Sequence, residues 1–202
     1  QLGGKVNFRE VFFNPHGHGT HTECVGHITK EWLSVNDTMK TFFFFSTVIS
    51  VQPEVVKQDN GWSKAGDLCI TKEQVMLALN NGCEEALVIR TLPNDHSKRA
   101  ARYSGSNFCY VHHEALAWLA GQGVNHLLID LPSVDRESDG GELLAHRAWW
   151  FSKEGRRDEA TITEMVFVDD RVKDGIYLLN LQVAAFDNDA APSRPLLFPI
   201  QD

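Results

Sequence analysis

Apolar and polar residues alternate along residues 5–13 (KVNFREVFF), a period of two that predicts a strand. Pro15, Gly17 and Gly19 then break regular structure, leaving the next polar segment on a loop or at a strand end. Residues 39–52 contain the run TFFFFSTVISV, rich in aromatic and β-branched side chains, which predicts a buried strand stopped by Pro53. Asp59-Asn60-Gly61 reads as a turn. Thr71-Lys72-Glu73-Gln74 has the form of a capping box, and Asn80-Asn81-Gly82 a stop, giving a helix over 71–80. The continuous apolar runs ALVIRT (86–91) and VNHLLID (124–130) predict central strands, with a helix over 111–120 between them. A further helix is expected over 142–151. Strands are expected over 161–168 and 176–185, around a turn at Lys173-Asp174-Gly175.

Helix and strand in alternation imply an α/β domain with parallel strands. No repeat and no Pro/Gly/Ser-rich linker divides the chain, so residues 1–202 are read as one domain rich in strands. The chain opens without an initiator Met or a signal-peptide layout, and it reads as beginning inside a β-region with upstream residues missing.

Composition narrows the function classes. Of the residues, 43% are hydrophobic and 23% charged, and the formal net charge is −8, which is no footprint for a nucleic-acid partner. The 41–51 run is too short to span a bilayer as a helix, so no membrane partner is expected. Four cysteines, at 24, 69, 83 and 109, include no C-x-x-C pair and suggest no disulfide scaffold, in keeping with free thiols and a cytoplasmic protein.

The chemistry concentrates in NPHGHGTHTECVGHIT, residues 14–29, which holds His16, His18, His21, Glu23, Cys24 and His27. On an extended segment, i and i+2 share a face, so His21 and Glu23 project together and His27 has the same parity. Imidazole with carboxylate suits Zn²⁺ or a comparable divalent metal, as in catalytic sites. A solvated polar loop is the alternative. Cys24 has the wrong parity and is read as packing.

Gly19-Thr20-His21-Thr22-Glu23-Cys24-Val25-Gly26-His27 resembles the signature H-x-G-T-H-x-D-x-P-x-H of the cyclase family of metal-dependent hydrolases, which includes bacterial kynurenine formamidase and isatin hydrolase. Three positions depart from it. Glu23 replaces Asp, Val25 replaces Pro, and Gly17 stands where the first His falls, between His16 and His18. Either could supply that ligand; His16, preceding a glycine that can bend the backbone, is preferred. The resemblance continues in order through Arg90-Thr91, Asp130, Ser133, Asp135, His146 and Glu164, to Ala191-Pro192 and Arg194.

The resemblance implies a swivelling β/β/α fold, a mixed β-sheet core with outer helices. It implies one or two Zn or Mn ions per chain, with His16 or His18, His21 and Glu23 on one metal. Glu23 would bridge to a second held by His146 and Glu164, and His27 would act as general acid or base. The implied activity is hydrolysis of an amide or related acyl bond in a small molecule, an N-formylkynurenine-like aryl formamide first and an isatin-type lactam or lactone second, in a homodimer or homotetramer. A non-catalytic scaffold of the same family is the competing expectation, decided by whether His16 or His18 completes the first ligand set. The aromatics Phe42–Phe45, Trp62, Trp149 and Trp150 are expected to be mostly core.

Overall fold

The computed structural model describes residues 6–80 and 82–200. Its helices are α1 (Pro15–His18), α2 (Val35–Thr38), α3 (Lys72–Ala78), α4 (His113–Gly121) and α5 (Leu144–Trp150). Its strands are β1 (His21–Glu23), β2 (Phe43–Val51), β3 (Glu54–Val55), β4 (Leu68–Ile70), β5 (Ala86–Thr91), β6 (Tyr110–Val111), β7 (His126–Ile129), β8 (Phe151–Ser152), β9 (Gly155–Arg156), β10 (Thr161–Glu164), β11 (Gly175–Asn180), β12 (Ala190–Pro192) and β13 (Leu196–Pro199).

Eight strands form one large curled mixed sheet in the order β12-β1-β10-β7-β5-β2-β11-β13, with helices outside. The four central strands run parallel, as the alternation of helix and strand implies; the outer pairings are antiparallel. Strands β3, β4 and β6 make a small second sheet, and β8–β9 a hairpin.

The runs Ala86–Ile89 of β5 and Leu127–Ile129 of β7 are continuously apolar because both faces of the sheet are covered there. Leu87, Ile89, Leu127 and Ile129 pack with Val75, Leu116, Leu119 and Trp149 of the helical layer. Ala86, Val88 and Leu128 face the other way, toward Phe44, Val48 and Leu179. The Thr71 box caps α3 as expected, Thr71 accepting from the Gln74 N–H and Gln74 from the Thr71 N–H. Of its expected stop, Asn81 lies outside the described residues.

Three expectations are corrected. Residues 6–13 form no strand. Val6, Phe8, Val11 and Phe12 are exposed and no strand among the described residues pairs with the segment, so alternation alone leaves its backbone groups unmatched; Lys5 lies outside the described residues. The strand expected over 161–168 stops at Glu164, because Met165 takes a positive φ of 55°. In the Phe42–Phe45 run only Phe44 is core. Phe43 and Phe45 share the Ile49 side of β2 yet stay exposed, as does Phe42. Trp149 and Trp150 are fully buried. No helix among the described residues is long and apolar enough to cross a membrane.

Candidate functional site

β1 lies between β12 and β10 and supplies the first two side chains. His21 stands opposite Glu164 in the antiparallel register, so the two share a face; Glu23 joins them two residues on. Thr22 points to the other face, where its hydroxyl lies 2.8 Å from that of Thr163. On the site face all three charged side chains are buried.

Strand parity does not govern the flanking histidines. Asn14 accepts the His16 N–H (3.0 Å) and Pro15 opens α1, a single helical turn. That turn swings His16 inward, its Nδ1 3.0 Å from Glu23 Oε2. His18 leaves the group: it is exposed, and its Nδ1 accepts the Asn14 N–H. The cluster therefore takes His16 and not His18. His27 lies on a 3-10 turn (Val25–Ile28) that returns its Nε2 to 3.9 Å from Glu23 Oε2. The His16 and His27 rings stack at 4.2 Å.

The distant half arrives on α5. His146 is buried, its Nε2 3.0 Å from Glu23 Oε1 and its Nδ1 2.5 Å from Asp135 Oδ2. Asp135 also accepts the Ala145 N–H, so one carboxylate caps α5 and orients its histidine. Glu164 accepts the Val134 N–H at 2.9 Å through Oε1, which lies 3.8 Å from His146 Nε2; its Oε2 is 3.5 Å from His21 Nε2, too long for a strong hydrogen bond. His16, His21, Glu23, His27, His146 and Glu164 thus converge. Asp189, just before β12, was not anticipated. Its Oδ2 lies 2.8 Å from His16 Nε2 and 3.4 Å from His27 Nδ1.

Electrostatics bind the group together. Burial opposes charge on His16, yet Asp189 and Glu23 override it and raise its pKa to about 10. His21 and His146 are raised against burial by Glu164 with Glu23, and by Asp135 with Glu23, respectively. Burial would raise Glu23, but His146 and His16 hold it well below the usual carboxylate range. Such an arrangement is costly in a low-dielectric setting unless further charge or hydrogen bonding completes it.

The donor set fits a divalent cation. His21 Nε2 is buried with no hydrogen-bond partner, and Glu23 Oε2, buried 4.0 Å away, meets His16 Nδ1 at 3.0 Å as a charge contact without hydrogen-bond alignment, so both atoms face one space. His16, His21 and Glu23 offer ligand atoms within 4.8 Å of one another, as do Glu23, His27 and His146, and His16, His27 and Asp189. Nitrogen and carboxylate oxygen are the ligands of catalytic Zn²⁺ and Mn²⁺ sites.

Other flagged residues have structural roles. Cys24 is buried and its thiol is directed at the Leu33 carbonyl; burial pushes its pKa up. Asp130 accepts the Thr91 N–H and pairs with Lys98 at 2.8 Å, tying β7 to β5. His112 caps α4, accepting the Glu114 N–H. Arg194 is exposed at a cavity of about 490 Å³ whose lining does not include the histidine cluster.

The family model Cyclase ("Putative cyclase") matches residues 4–136, well over half of the chain. The chain belongs to the cyclase family. Among solved structures, this chain is similar to a "Potential Metal-Dependent Hydrolase With Cyclase Activity", with a TM-score of 0.68 and 18% identity, covering 96% of this chain and 83% of that one. It is also similar to a predicted metal-dependent hydrolase from Bacillus stearothermophilus (TM-score 0.61, 19% identity, 98% and 83% covered). A third is an isatin hydrolase bound to the product analogue thioisatinate (TM-score 0.58, 12% identity, 92% and 72% covered). At these identities the likeness establishes the fold of the chain. No curated protein matches the chain.

Proposed function

We propose that this member of the cyclase family is a metal-dependent hydrolase that cleaves an amide or related acyl bond of a small aromatic substrate, with an aryl formamide of the N-formylkynurenine type as leading candidate. The observation that carries the reading is the convergence of His16, His21, Glu23, His146 and Glu164, with His21 Nε2 buried, unpartnered and facing the Glu23 carboxylate.

His16, His21 and Glu23 would hold one ion. The second oxygen of Glu23, with His146 and Glu164, would hold another where two are bound. A divalent ion there supplies a polarised substrate carbonyl and a water of lowered pKa. The rest falls to the chain. His27 is half-buried beside the ligands, with Nε2 turned toward Glu23 and Nδ1 toward Asp189. In this reading Nε2 takes a proton from the attacking water and delivers it to the departing nitrogen, giving a carboxylate and an amine. Aromatic recognition is supported by Phe13, Trp32 and Phe186, exposed on or bonded to the segments bearing His16 and Asp189. Phe13 and Phe186 pack at 5.9 Å, and Trp32 Nε1 donates to Asp187.

An isatin-type lactam is the second reading, favoured by the likeness to an isatin hydrolase. Support against the scaffold alternative comes from His16, which turns toward His21 and Glu23 where the first ion would need a third ligand. The ion is proposed as Zn or Mn, and the assembly as a homodimer or homotetramer.

The test is turnover of N-formylkynurenine and isatin by protein loaded in turn with Zn²⁺ and Mn²⁺. Formate release from the first, lost in His27→Ala with metal retained, is expected. Ring opening of isatin alone would shift the reading to the lactam, and inactivity on both with metal bound would count against hydrolysis of either class.

A further inference from the structure

We infer that Asp189 is a positioning residue shared by two imidazoles: it fixes His16 as a ligand and His27 as the proton carrier. The inference rests on the metal-dependent reading of the site.

His16 uses both ring nitrogens. Nδ1 faces Glu23 Oε2 and the space between Glu23 and His21, while Nε2 lies 2.8 Å from Asp189 Oδ2. A histidine ligating through one nitrogen usually donates its other N–H to a carboxylate, which fixes its tautomer and ring direction. Here that carboxylate is Asp189. On the other side of Glu23 the pattern repeats: His146 turns Nε2 inward and Nδ1 to Asp135. Each half of the cluster therefore has its own acidic residue behind the histidine.

Asp189 differs from Asp135 in serving a second ring. The same Oδ2 lies 3.4 Å from His27 Nδ1, and the two imidazoles it faces are stacked. A carboxylate beside Nδ1 favours the tautomer that carries its N–H there, which leaves Nε2 of His27 as the acceptor nitrogen turned toward the ligands. Asp189 is itself rigidly placed. Its carbonyl accepts the Cys24 N–H at 3.0 Å, and the next residue, Ala190, pairs with Glu23 in the β1–β12 ladder. The strand pair that presents Glu23 thus also sets the carboxylate behind His16 and His27.

The experiment measures Co²⁺ affinity by chelator competition, with the visible absorption of bound Co²⁺, for wild type, Asp189→Asn, Asp189→Ala and Asp187→Ala. Expected is a loss of roughly 10-fold in Asp189→Asn, which keeps an acceptor, and up to roughly 100-fold in Asp189→Ala, with altered absorption bands. Asp187→Ala, which removes a nearby carboxylate facing Trp32, should bind as wild type. Wild-type binding with affinity and spectrum unchanged in both Asp189 variants would overturn the proposal and leave the metal site standing. A wild type that takes up no Co²⁺ would overturn both. If Asp189→Ala does not fold, the isosteric Asp189→Asn decides.

Discussion

Glu23 turns one carboxylate oxygen to each half of the cluster, Oε2 toward His16, His21 and His27 and Oε1 toward His146. Glu23→Gln should therefore abolish metal retention at both halves. In the metal-free protein it removes the shared partner of buried imidazoles, a loss on the order of 3–5 kcal/mol by urea denaturation in chelator. Retention of a full metal complement by this variant would refute the bridging role. At this scale the sequence was legible where side-chain period applies. His21 and Glu23 share a face because they sit two apart on a strand, and their register with Glu164 follows from the ladder. His16 and His27 were legible only as neighbours, since a helical turn and a 3-10 turn, not parity, bring them in. Asp189 left no readable signal. An acidic pair in Asp187-Asn188-Asp189 does not say which carboxylate a later strand will carry to β1.

At the scale of elements, the His27 turn depends on the closeness of two backbones. A Cβ on Gly26 would run into the Leu33 carbonyl oxygen, and backbone cannot yield as a flexible side chain would. Gly26→Ala should displace His27 and cut turnover at least tenfold while metal content, set by residues on other elements, stays near wild type; unchanged turnover would contradict this placement. α5 is held by Trp150, fully buried, whose Nε1 donates to the Ala160 carbonyl at 2.9 Å. Trp150→Phe leaves that acceptor unpaired, and equilibrium denaturation should show a loss of about 1–3 kcal/mol. Central elements were legible because both faces of β5 and β7 are buried and because the α3 box carries its own start signal. The segment 6–13 alternates without forming a strand because a strand needs a neighbour, and alternation supplies none.

For the whole molecule, charge balance links metal, proton and stability. Without metal, His16 has its pKa raised from 6.5 to about 10, so its ionic contribution is full below 6.5 and is lost as pH rises toward 10. Metal takes the unprotonated imidazole, so uptake releases protons and apparent affinity rises with pH. Urea titrations of metal-free protein should show declining stability from pH 6.5 to 10, and weakly buffered protein should release protons on Zn²⁺ addition; uptake without release would contradict the paired imidazolium. The central claim is that two segments far apart in sequence, joined through β1 and β10, build one metal centre. Elemental mass spectrometry of untagged protein, purified without chelator, tests it beside His21→Ala and Glu164→Ala. One or two equivalents of Zn or Mn in the wild type, reduced in both variants, is the predicted result. A folded wild type that stays metal-free after incubation with Zn²⁺ and Mn²⁺, or variants that keep the full complement, would contradict it.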